Sequence, residues 1–467
     1  MTVAALAAAL GVGFVDELAD GTKGAALPLI RGGFGLTYGQ IGLLIAIPLL
    51  VGSLLELPFG LIAGNGRRRQ WLVLGGGTAF IVTLAAVATA RSFGVLMAAL
   101  VLFFPASGAF VGLTQSALMD ADLGRQQQRM AAWNLAGSMG AVAGPLLLVV
   151  VLSAGGGWRT GYLLLAALAG LALAGAAICG PPRTAPASDD NAEDDQRPTI
   201  RQAVGALREA DVLRWAVLLE ISDLLLDVLT GFVGVYLVDV VHASPAQAAF
   251  GVAIRLGAGL AGDAAFVLIS RRASGPAALR LTGIATMLLY PAFLLVPGLA
   301  AKLIILAVVS AATACWYPVI QTGLYGSLHG RSGIAVFLGS AAGLAGAAGP
   351  LAVGFVAQQA GLTWAMASLA VAPVAVLVAL PRRRRASGRA SGRPAVRRRR
   401  SERSPRVTAA RDPAARDLAA RDLAAQDLAA QDLAARDPAA QDLPAQDPGR
   451  RDPGRRDAAP PPDDGLG

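Results

Sequence analysis

The chain has 467 residues, of which 55% are hydrophobic and 15% charged, and its formal net charge is +9. That charge does not indicate a nucleic-acid-binding protein, because the 20 arginines and 13 acidic residues from Arg382 onward carry +7 of it. The residues before that point are almost neutral and strongly apolar, and only they are able to span a membrane.

Twelve apolar runs, separated by short polar breaks, occupy the chain up to about residue 381. Each is long enough to cross a hydrocarbon core of about 30 Å as a helix. They lie near residues 3–30, 38–63, 71–90, 93–119, 130–153, 160–179, 213–240, 245–270, 276–297, 302–327, 333–357 and 363–381. The sequence therefore predicts an all-α integral membrane protein with twelve transmembrane helices. Residues 1–180 and 213–381 are expected to form two six-helix bundles related as a parallel repeat.

The two halves repeat one another at an offset of 207 residues. Asp16 and Asp20, one turn apart on one helix face, return as Asp223 and Asp227. Other repeated features are Gly24 with Gly231, Glu56 with Asp263, and the helix-start signals Thr37-Tyr38-Gly39-Gln40 and Ser244-Pro245-Ala246-Gln247. In each signal the glutamine is expected to bond back to the helix N-cap. Such a repeat is typical of transporters, which keep polar groups between their halves.

The four repeated aspartates are predicted to line a cavity between the halves. Asp16 lies about 20 Å along the first helix, deep in the hydrocarbon core. An ion at that depth costs at least about 2.5 to 3.5 kcal/mol in lipid, so these carboxylates should face water. Two carboxylates one turn apart also repel each other, which favours the binding of a proton by each pair. The alternative is a structural polar network.

Two basic residues within the spans are expected to accompany these acids. Arg255 lies midway along the eighth span, and it is not a remnant of the repeat because its counterpart is Pro48. It is predicted to pair with one of the second-half aspartates or to bind an anionic substrate group, with a structural ion pair as the alternative. Lys23 is expected to neutralise Asp20 or Glu17.

Several uncharged polar side chains are further candidates for the cavity wall. Their aromatic rings and hydrogen-bonding groups suit the binding of a small organic molecule, although Tyr and Trp also suit membrane interfaces. These residues are Gln115 in the fourth span and Trp316, Tyr317, Gln321 and Tyr325 in the tenth.

The loop after the second span reads Gly60-Leu61-Ile62-Ala63-Gly64-Asn65-Gly66-Arg67-Arg68-Arg69. It resembles the loop signature of the major facilitator superfamily, in which Gly is followed by Leu-Ala-Asp and Gly-Arg-Arg, with Gly64 in place of the Asp. The resemblance implies the twelve-helix fold and a cytoplasmic gate. Its residues would be Glu56, Gly60, Arg67, Arg68 and Asp263. A simple positive-inside anchor is the alternative.

Glycines and prolines recur in the fifth and eleventh spans. Gly140, Gly144 and Pro145 in the fifth correspond to Gly349 and Pro350 in the eleventh. Glycines spaced by four residues let helix backbones approach closely. The fifth-span motif also resembles one in proton-coupled exporters of the same superfamily. Phe14-Val15-Asp16 and Phe104-Pro105 are similar to segments of fosmidomycin-resistance exporters.

Arginines concentrate on alternate loops, which predicts a multi-pass protein of the bacterial inner membrane with both termini cytoplasmic. Residues 181–212 form a polar cytoplasmic linker between the halves. Residues 382–467 repeat Asp every five residues and are predicted to be a disordered tail. Its arginine clusters at 382–385 and 397–400 are candidate contacts for anionic lipid.

These features together predict a secondary transporter that exports a small organic molecule in exchange for protons. A proton-coupled importer, a non-transporting sensor or scaffold, and a Mg²⁺-dependent membrane prenyltransferase are the alternatives. The sequence has no phosphate-cradling Gly-Lys-Ser/Thr loop, and no cofactor or metal is expected. The expected partners are the substrate, protons and the lipid bilayer.

Overall fold

The structure is a computed structural model that describes residues 2–62, 67–121, 125–179, 208–269, 274–327 and 346–380. Within these ranges the chain is helical apart from short turns and contains no strand. The predicted linker lies largely outside the described residues, and the predicted tail lies wholly outside them. Residues 328–345, which include the first part of the predicted eleventh span, also lie outside them.

The described part of the first half contains seven helices, two of which belong to one span. They are α1 (Val3–Phe34), α2 (Tyr38–Ile62), α3 (Arg67–Thr89), α4 (Phe93–Ser107), α5 (Leu113–Asp120), α6 (Gln126–Ser153) and α7 (Trp158–Cys179). A first π segment, Gly108–Gly112, joins α4 to α5.

The described part of the second half contains nine helices. They are α8 (Ala210–Asp223), α9 (Leu229–Asp239), α10 (Pro245–Ile269), α11 (Gly275–Leu295), α12 (Leu299–Thr313), α13 (Trp316–Ser327), α14 (Ala348–Ala360), α15 (Leu362–Ser368) and α16 (Val371–Ala379). A second π segment, Leu224–Val228, joins α8 to α9.

Nine continuous helical stretches among the described residues are long and apolar enough to cross a membrane. Helix α1 is 32 residues long but carries several charges along its length, and α2 is apolar over Tyr38–Gly52. The protein is therefore a multi-pass membrane protein whose described part is all-helical. The count of twelve spans stays a prediction.

The repeated helix-start signals form the same structure in both halves. The Thr37 N–H donates to Gln40 Oε1 at 2.9 Å, and the Gln40 N–H donates to Thr37 Oγ1 at 3.2 Å. Ser244 and Gln247 make the same two bonds at the same two distances. These reciprocal bonds satisfy two backbone donors at each helix start. The prediction of two capping boxes is confirmed.

Helices α1 and α6 pack at backbone-to-backbone distance. A Cβ at Gly140 would overlap the Phe14 carbonyl, and one at Gly144 would overlap the Leu18 carbonyl. From the other side, a Cβ at Gly21 would overlap the Ala141 carbonyl and lie 3.1 Å from Pro145 Cδ. Only glycine fits at these three positions without moving a backbone.

The two halves meet near the C-terminal end of α1, where Arg31 lies. We call this end of the interface the Arg31 side. A Cβ at Gly42 of α2 would lie 2.7 Å from the Pro350 carbonyl oxygen and 3.2 Å from Gly354 Cα. Helices α1 and α9 also approach there, because a Cβ at Gly234 would lie 3.3 Å from Pro28 Cγ. The halves are thus packed together at the Arg31 side.

Candidate transport site between the two halves

Acidic side chains of α1 face acidic side chains of the second π segment. Asp227 lies within electrostatic range of Asp20 and Lys23, and Glu17 lies within electrostatic range of Asp227. Glu17, Asp20 and Asp227 are all solvent-accessible in the protein. The structure therefore brings carboxylates of both halves to one space between them. Glu17, which has no repeat counterpart, is part of this group.

Asp20 and Lys23 form an ion pair on α1, so of the two partners predicted for Lys23, Asp20 and Glu17, the structure shows Asp20. The two residues are three positions apart, which places them on neighbouring parts of one helix face. The Lys23 ammonium also lies 5.2 Å from the centroid of the Phe104 ring, a cation–π distance. The first half thus supplies its own counter-ion from the same helix.

Asp16 has a different environment from Asp20. Its Oδ1 accepts a hydrogen bond of 2.7 Å from Ser107 Oγ, at the last residue of α4. The first π segment begins directly after Ser107. A π turn is often found beside functional groups, because it frees backbone groups and displaces side chains. Asp16 is therefore tied to the fourth span.

Arg255 is 5% exposed and lies against the second π segment. Its Nε donates to Thr230 Oγ1 at 2.7 Å and its Nη1 to Ser310 Oγ at 3.2 Å. Its Nη2 donates to the carbonyls of Leu225, at 2.7 Å, and Leu226. In the described part of the chain these hydroxyl and carbonyl groups, rather than a carboxylate, are its direct partners.

This environment differs from the predicted ion pair of Arg255 with Asp223 or Asp227. No such pair forms within 4.0 Å among the described residues. The physical reason is the π segment, since its carbonyls are turned to the guanidinium and bind it directly. Asp227 nevertheless remains within electrostatic range of Arg255.

Asp223 lies one turn before Asp227, beside Glu220. A Cβ at Gly346 would lie 3.5 Å from Glu220 Oε2 and 4.0 Å from Asp223 Oδ2. Glu220, Asp223 and Asp227 follow at i, i+3 and i+7, which places them on one face of the seventh span. The carboxylate pair predicted there is thus extended by Glu220 towards the N-terminal end of α8.

The uncharged candidates occupy separate places. Trp316 is fully buried and donates its indole N–H to Thr282 Oγ1 at 3.0 Å, inside the second half and facing α11. Gln321 Nε2 donates to the hydroxyl of Tyr317, which is 46% exposed. Gln115 Nε2 lies 3.6 Å from Met130 Sδ of α6. The side chain of Tyr325 lies outside the described set. The role of Gln115, Tyr317 and Gln321 in a cavity wall stays a prediction.

The predicted gate is only partly described. The backbones of Glu56, Gly60 and Arg67 lie in α2 and α3, and their side chains lie outside the described set. Arg68 and Asp263 are both exposed. Arg69, which was not predicted as a gate residue, is buried and donates to Ser116 of α5.

The predicted glycine–proline positions have unequal contacts. Gly140 and Gly144 lie directly on the α1 backbone, as described above. A Cβ at Gly349 would instead meet side chains, Val228 Cγ2 at 3.1 Å and Leu224 Cδ2 at 3.3 Å, while Pro350 is buried. The repeated glycine motif therefore gives backbone-to-backbone packing in the first half and packing against side chains in the second.

A charged contact that sequence reasoning missed joins the halves at the Arg31 side. Arg31 Nη1 lies 2.8 Å from Asp239 Oδ2, and the Tyr38 hydroxyl donates to the same oxygen at 3.0 Å. The Arg31 guanidinium also lies 4.5 Å from the centroid of the Tyr38 ring. We call these three residues the Arg31 latch. Arg31 and Asp239 are not counterparts at the repeat offset, so the repeat gave no signal for their pairing.

Among the described residues, no group of three or more His, Cys, Asp or Glu side chains is arranged to hold a metal ion. The carboxylates of α1 and the seventh span are spread along their helices. Their arrangement suits the binding of protons or of a cationic group, since within the described ranges Lys23 is paired with Asp20 alone and Arg255 is bound to hydroxyl and carbonyl groups instead of a carboxylate.

Comparison with solved structures shows the same fold in several transporters. One is a bacterial homologue of the human lysosomal transporter Spinster, in an inward-facing and occupied conformation. It is 15% identical in sequence, with a TM-score of 0.63, and the matched region covers 80% of this chain and 94% of the homologue's chain. The nucleoside transporter NupG is 13% identical with a TM-score of 0.65, covering 80% and 98%. A POT family transporter bound to a thioalcohol-conjugated peptide is 13% identical with a TM-score of 0.61, covering 80% and 94%.

No curated protein matches the sequence. The family model described as Major Facilitator Superfamily matches residues 9–335, which is more than half of the chain. That range includes both groups of membrane carboxylates and the Arg31 latch. The chain is not an enzyme but a membrane transporter, and it belongs to the major facilitator superfamily.

Proposed function

We propose that this protein is a proton-coupled exporter of a small organic molecule that works by alternating access. The observation that carries the proposal is the meeting of Glu17, Asp20 and Asp227 from two repeated helices in one accessible space. Carboxylates held close together repel, and a proton bound by the group relieves that repulsion. Proton binding and release would therefore change the charge between the halves.

The Arg31 latch supports the alternating-access part of this proposal. It lies at one end of the interface, where Gly42 and Gly354 also bring the halves together. We infer that the protein is in a state closed on the Arg31 side, which the arginine distribution assigns to the periplasm. In the other state the latch would separate and the carboxylates would open to the Arg31 side.

The charge balance supports a cationic substrate over an anionic one. Glu17 and Asp20 of α1 meet Asp227 of the seventh span between the halves, and Glu220 and Asp223 lie on the preceding turns of the seventh span beside Gly346. A positively charged molecule would compete with protons for them, which is the basis of exchange transport. An anionic substrate would have to approach them against repulsion.

The first experiment measures export from cells with and without the protein, using a fluorescent organic cation such as ethidium, an organic anion such as carboxyfluorescein, and a neutral dye. We expect the cation to accumulate less in cells that make the protein than in cells that do not. A protonophore should abolish this difference, because it removes the proton gradient. Higher accumulation of the cation would favour an importer. Protein-independent accumulation of all three dyes would count against this choice of substrate class.

The second experiment tests coupling in proteoliposomes with a transported dye. The changes Asp20→Asn and Asp227→Asn should each abolish transport driven by a pH gradient, because the side chain no longer binds a proton. Asp211→Asn is the matched control, since Asp211 lies at the start of the same span as Asp227 but is 74% exposed and paired with Arg214. Gradient-driven transport that persists in both cavity variants would refute proton coupling through them.

We further propose twelve spans with both termini in the cytoplasm of a bacterial inner membrane, and a disordered tail after residue 381 that contacts anionic lipid. The loops at the Arg31 side then face the periplasm. Single cysteines at Arg91, Ala154 and Pro297, which are exposed residues of these loops, should react with an impermeant maleimide in intact cells. Cysteines at Arg68 and Arg125 should react only after lysis.

A further inference from the structure

We propose that Arg255 is a positioning residue that holds the second π segment in its π conformation and thereby fixes Asp227 in the space between the halves. The proposal rests on the proposed function in one respect, namely that Asp227 binds a proton. It assigns Arg255 to the framework of the site rather than to contact with the substrate.

The first step is the hydrogen bonding of the π segment. The Leu229 N–H donates to the Leu224 carbonyl, five residues back, which is the defining bond of a π turn. In an α-helix that N–H would serve the Leu225 carbonyl. Here the Leu225 carbonyl accepts from Arg255 Nη2 at 2.7 Å. The guanidinium thus occupies an acceptor that the π turn releases.

The second step is a closed ring of bonds around Thr230. Arg255 Nε donates to Thr230 Oγ1, which donates in turn to the Leu226 carbonyl at 2.8 Å, and Arg255 Nη2 donates to the same carbonyl. Arg255 and Thr230 therefore both hold the residue that directly precedes Asp227. Because an unsatisfied carbonyl is costly within a membrane, a loss of these bonds favours a change in the local helix.

The third step concerns what else Arg255 joins. Its Nη1 donates to Ser310 Oγ of α12 at 3.2 Å. One guanidinium on α10 is therefore bonded to the seventh and the tenth span. Only a planar, forked cation reaches these acceptors in three directions at once, and a lysine ammonium does not reproduce that geometry.

The charged groups around Asp227 define what the test must distinguish. From α1 it faces Glu17, Asp20 and Lys23, from its own span Asp223, and from α10 Arg255. Among the described residues, α12 contributes the hydroxyl of Ser310, which is bonded to Arg255, and α14 contributes Gly349, which faces Val228 and Leu224 of the π segment; neither is charged. A change of Arg255 to Lys keeps the positive charge near Asp227 and removes the fork, so it separates positioning from charge.

The experiment is an infrared titration of the full-length protein in lipid nanodiscs, with the proton as the probe. The carboxyl band of protonated Asp227 is identified by its loss in Asp227→Asn. In Arg255→Lys the midpoint of this band should move by about half a pH unit or more relative to the wild type. Arg159→Lys is the matched control, because Arg159 donates to the Ala90 carbonyl at 2.7 Å and its guanidinium lies 5.6 Å from the centroid of the Phe34 ring, at the Arg31 side. Its midpoint should not change.

Amide hydrogen exchange of residues 224–230 is measured on the same samples, and it should become faster in Arg255→Lys alone. Faster exchange with an unchanged midpoint would make Arg255 a purely structural residue and overturn the proposal. If Arg255→Lys does not fold, Thr230→Val and Ser310→Ala are used instead, since each removes one hydrogen-bond partner of Arg255. The Thr230 variant should move the midpoint of the Asp227 band. An unchanged midpoint in that variant overturns the proposal. The absence of any band lost in Asp227→Asn would instead refute proton binding at Asp227, and with it this role of Arg255.

Discussion

The first and seventh spans carry the same pair of aspartates, yet they fold and balance charge differently. Helix α1 runs without a break from Val3 to Phe34, whereas its counterpart is interrupted by the π segment Leu224–Val228. In α1 the counter-ion is Lys23, on the same helix as Asp20. In the seventh span no residue of the same helix plays this part, and the cations within electrostatic range of Asp227 are Arg255 from the next span and Lys23 from α1.

One position shows how this difference is built. The counterpart of Lys23 at the repeat offset is Thr230. Thr230 cannot neutralise a carboxylate, and instead it accepts from Arg255 and donates to the Leu226 carbonyl. The aspartates are therefore repeated in the two halves, while the basic residues that offset their charge in the membrane, Lys23 and Arg255, are not repeated.

The largest expected effect concerns the unequal use of glycine. The change Gly140→Ala forces a Cβ into the Phe14 carbonyl of α1 and should cost about 3 kcal/mol or prevent folding, because neither backbone is able to move freely. Gly349→Ala meets only side-chain ends at 3.1 and 3.3 Å and should cost less than about 1 kcal/mol. Thermal unfolding in detergent measures both. Gly170→Ala is the control, because a Cβ at Gly170 would meet only open space. Equal losses of stability in Gly140→Ala and Gly349→Ala would show that the two halves pack alike.

The next effect is on the contact between the halves. Either Arg31→Gln or Asp239→Asn removes the ion pair of the Arg31 latch and should shift the population of the closed state by about tenfold, or about 1.4 kcal/mol. The distance between spin labels on the Arg31-side loops measures this population. The exchanged variant Arg31→Asp/Asp239→Arg should restore part of it. If all three variants give the same distance distribution as the wild type, the Arg31 latch has no part in the mechanism.

A smaller effect separates the two counter-ions. Asp20→Asn leaves Lys23 without its carboxylate and should lower the free energy of unfolding by about 1 kcal/mol, since the pair is partly exposed. The double variant Asp20→Asn/Lys23→Met should recover most of this loss. Asp227→Asn should cost less than about 0.5 kcal/mol, because the four hydrogen bonds of Arg255 do not involve that carboxylate. A larger loss for Asp227→Asn than for Asp20→Asn would reverse this view of the two halves.

The smallest difference is expected where the halves are alike. Thr37→Ala and Ser244→Ala each remove one capping bond of the same length and should each cost about 1 kcal/mol. The two costs should agree within about 0.3 kcal/mol, within the scatter for independent sites. Thermal unfolding of the two variants checks this. A clear difference would mean that equal geometry does not give equal energy in these two halves.

Much of the fold could be predicted from the sequence because its signals are local. The apolar runs and the two capping boxes depend on residues a few positions apart, and the helices α2 and α10 begin where these signals place them. The pairing of Lys23 with Asp20 is likewise a contact within one helix. The repeat offset was informative because it compared such local features between the halves.

The site could be predicted only in outline because its details depend on helix rotation and on backbone departures from the α form. The π segment redirects the Leu225 and Leu226 carbonyls to Arg255, which no pattern in the sequence indicated. Trp316 looked suitable for a cavity wall, but its indole is enclosed inside the second half. The pairing of Arg31 with Asp239 depends on how α1 and α9 approach each other across the halves.

The contact between Gly42 and Gly354 has a mechanical consequence. With no side chain between them, α2 and α14 touch through their main chains near one end of α2. Helix α2 has 25 residues and is about 37 Å long. Gly42 lies about 30 Å from the far end of α2 at Ile62. A turn of about 10° about this contact would therefore move that end by about 5 Å, with the two glycines as its pivot.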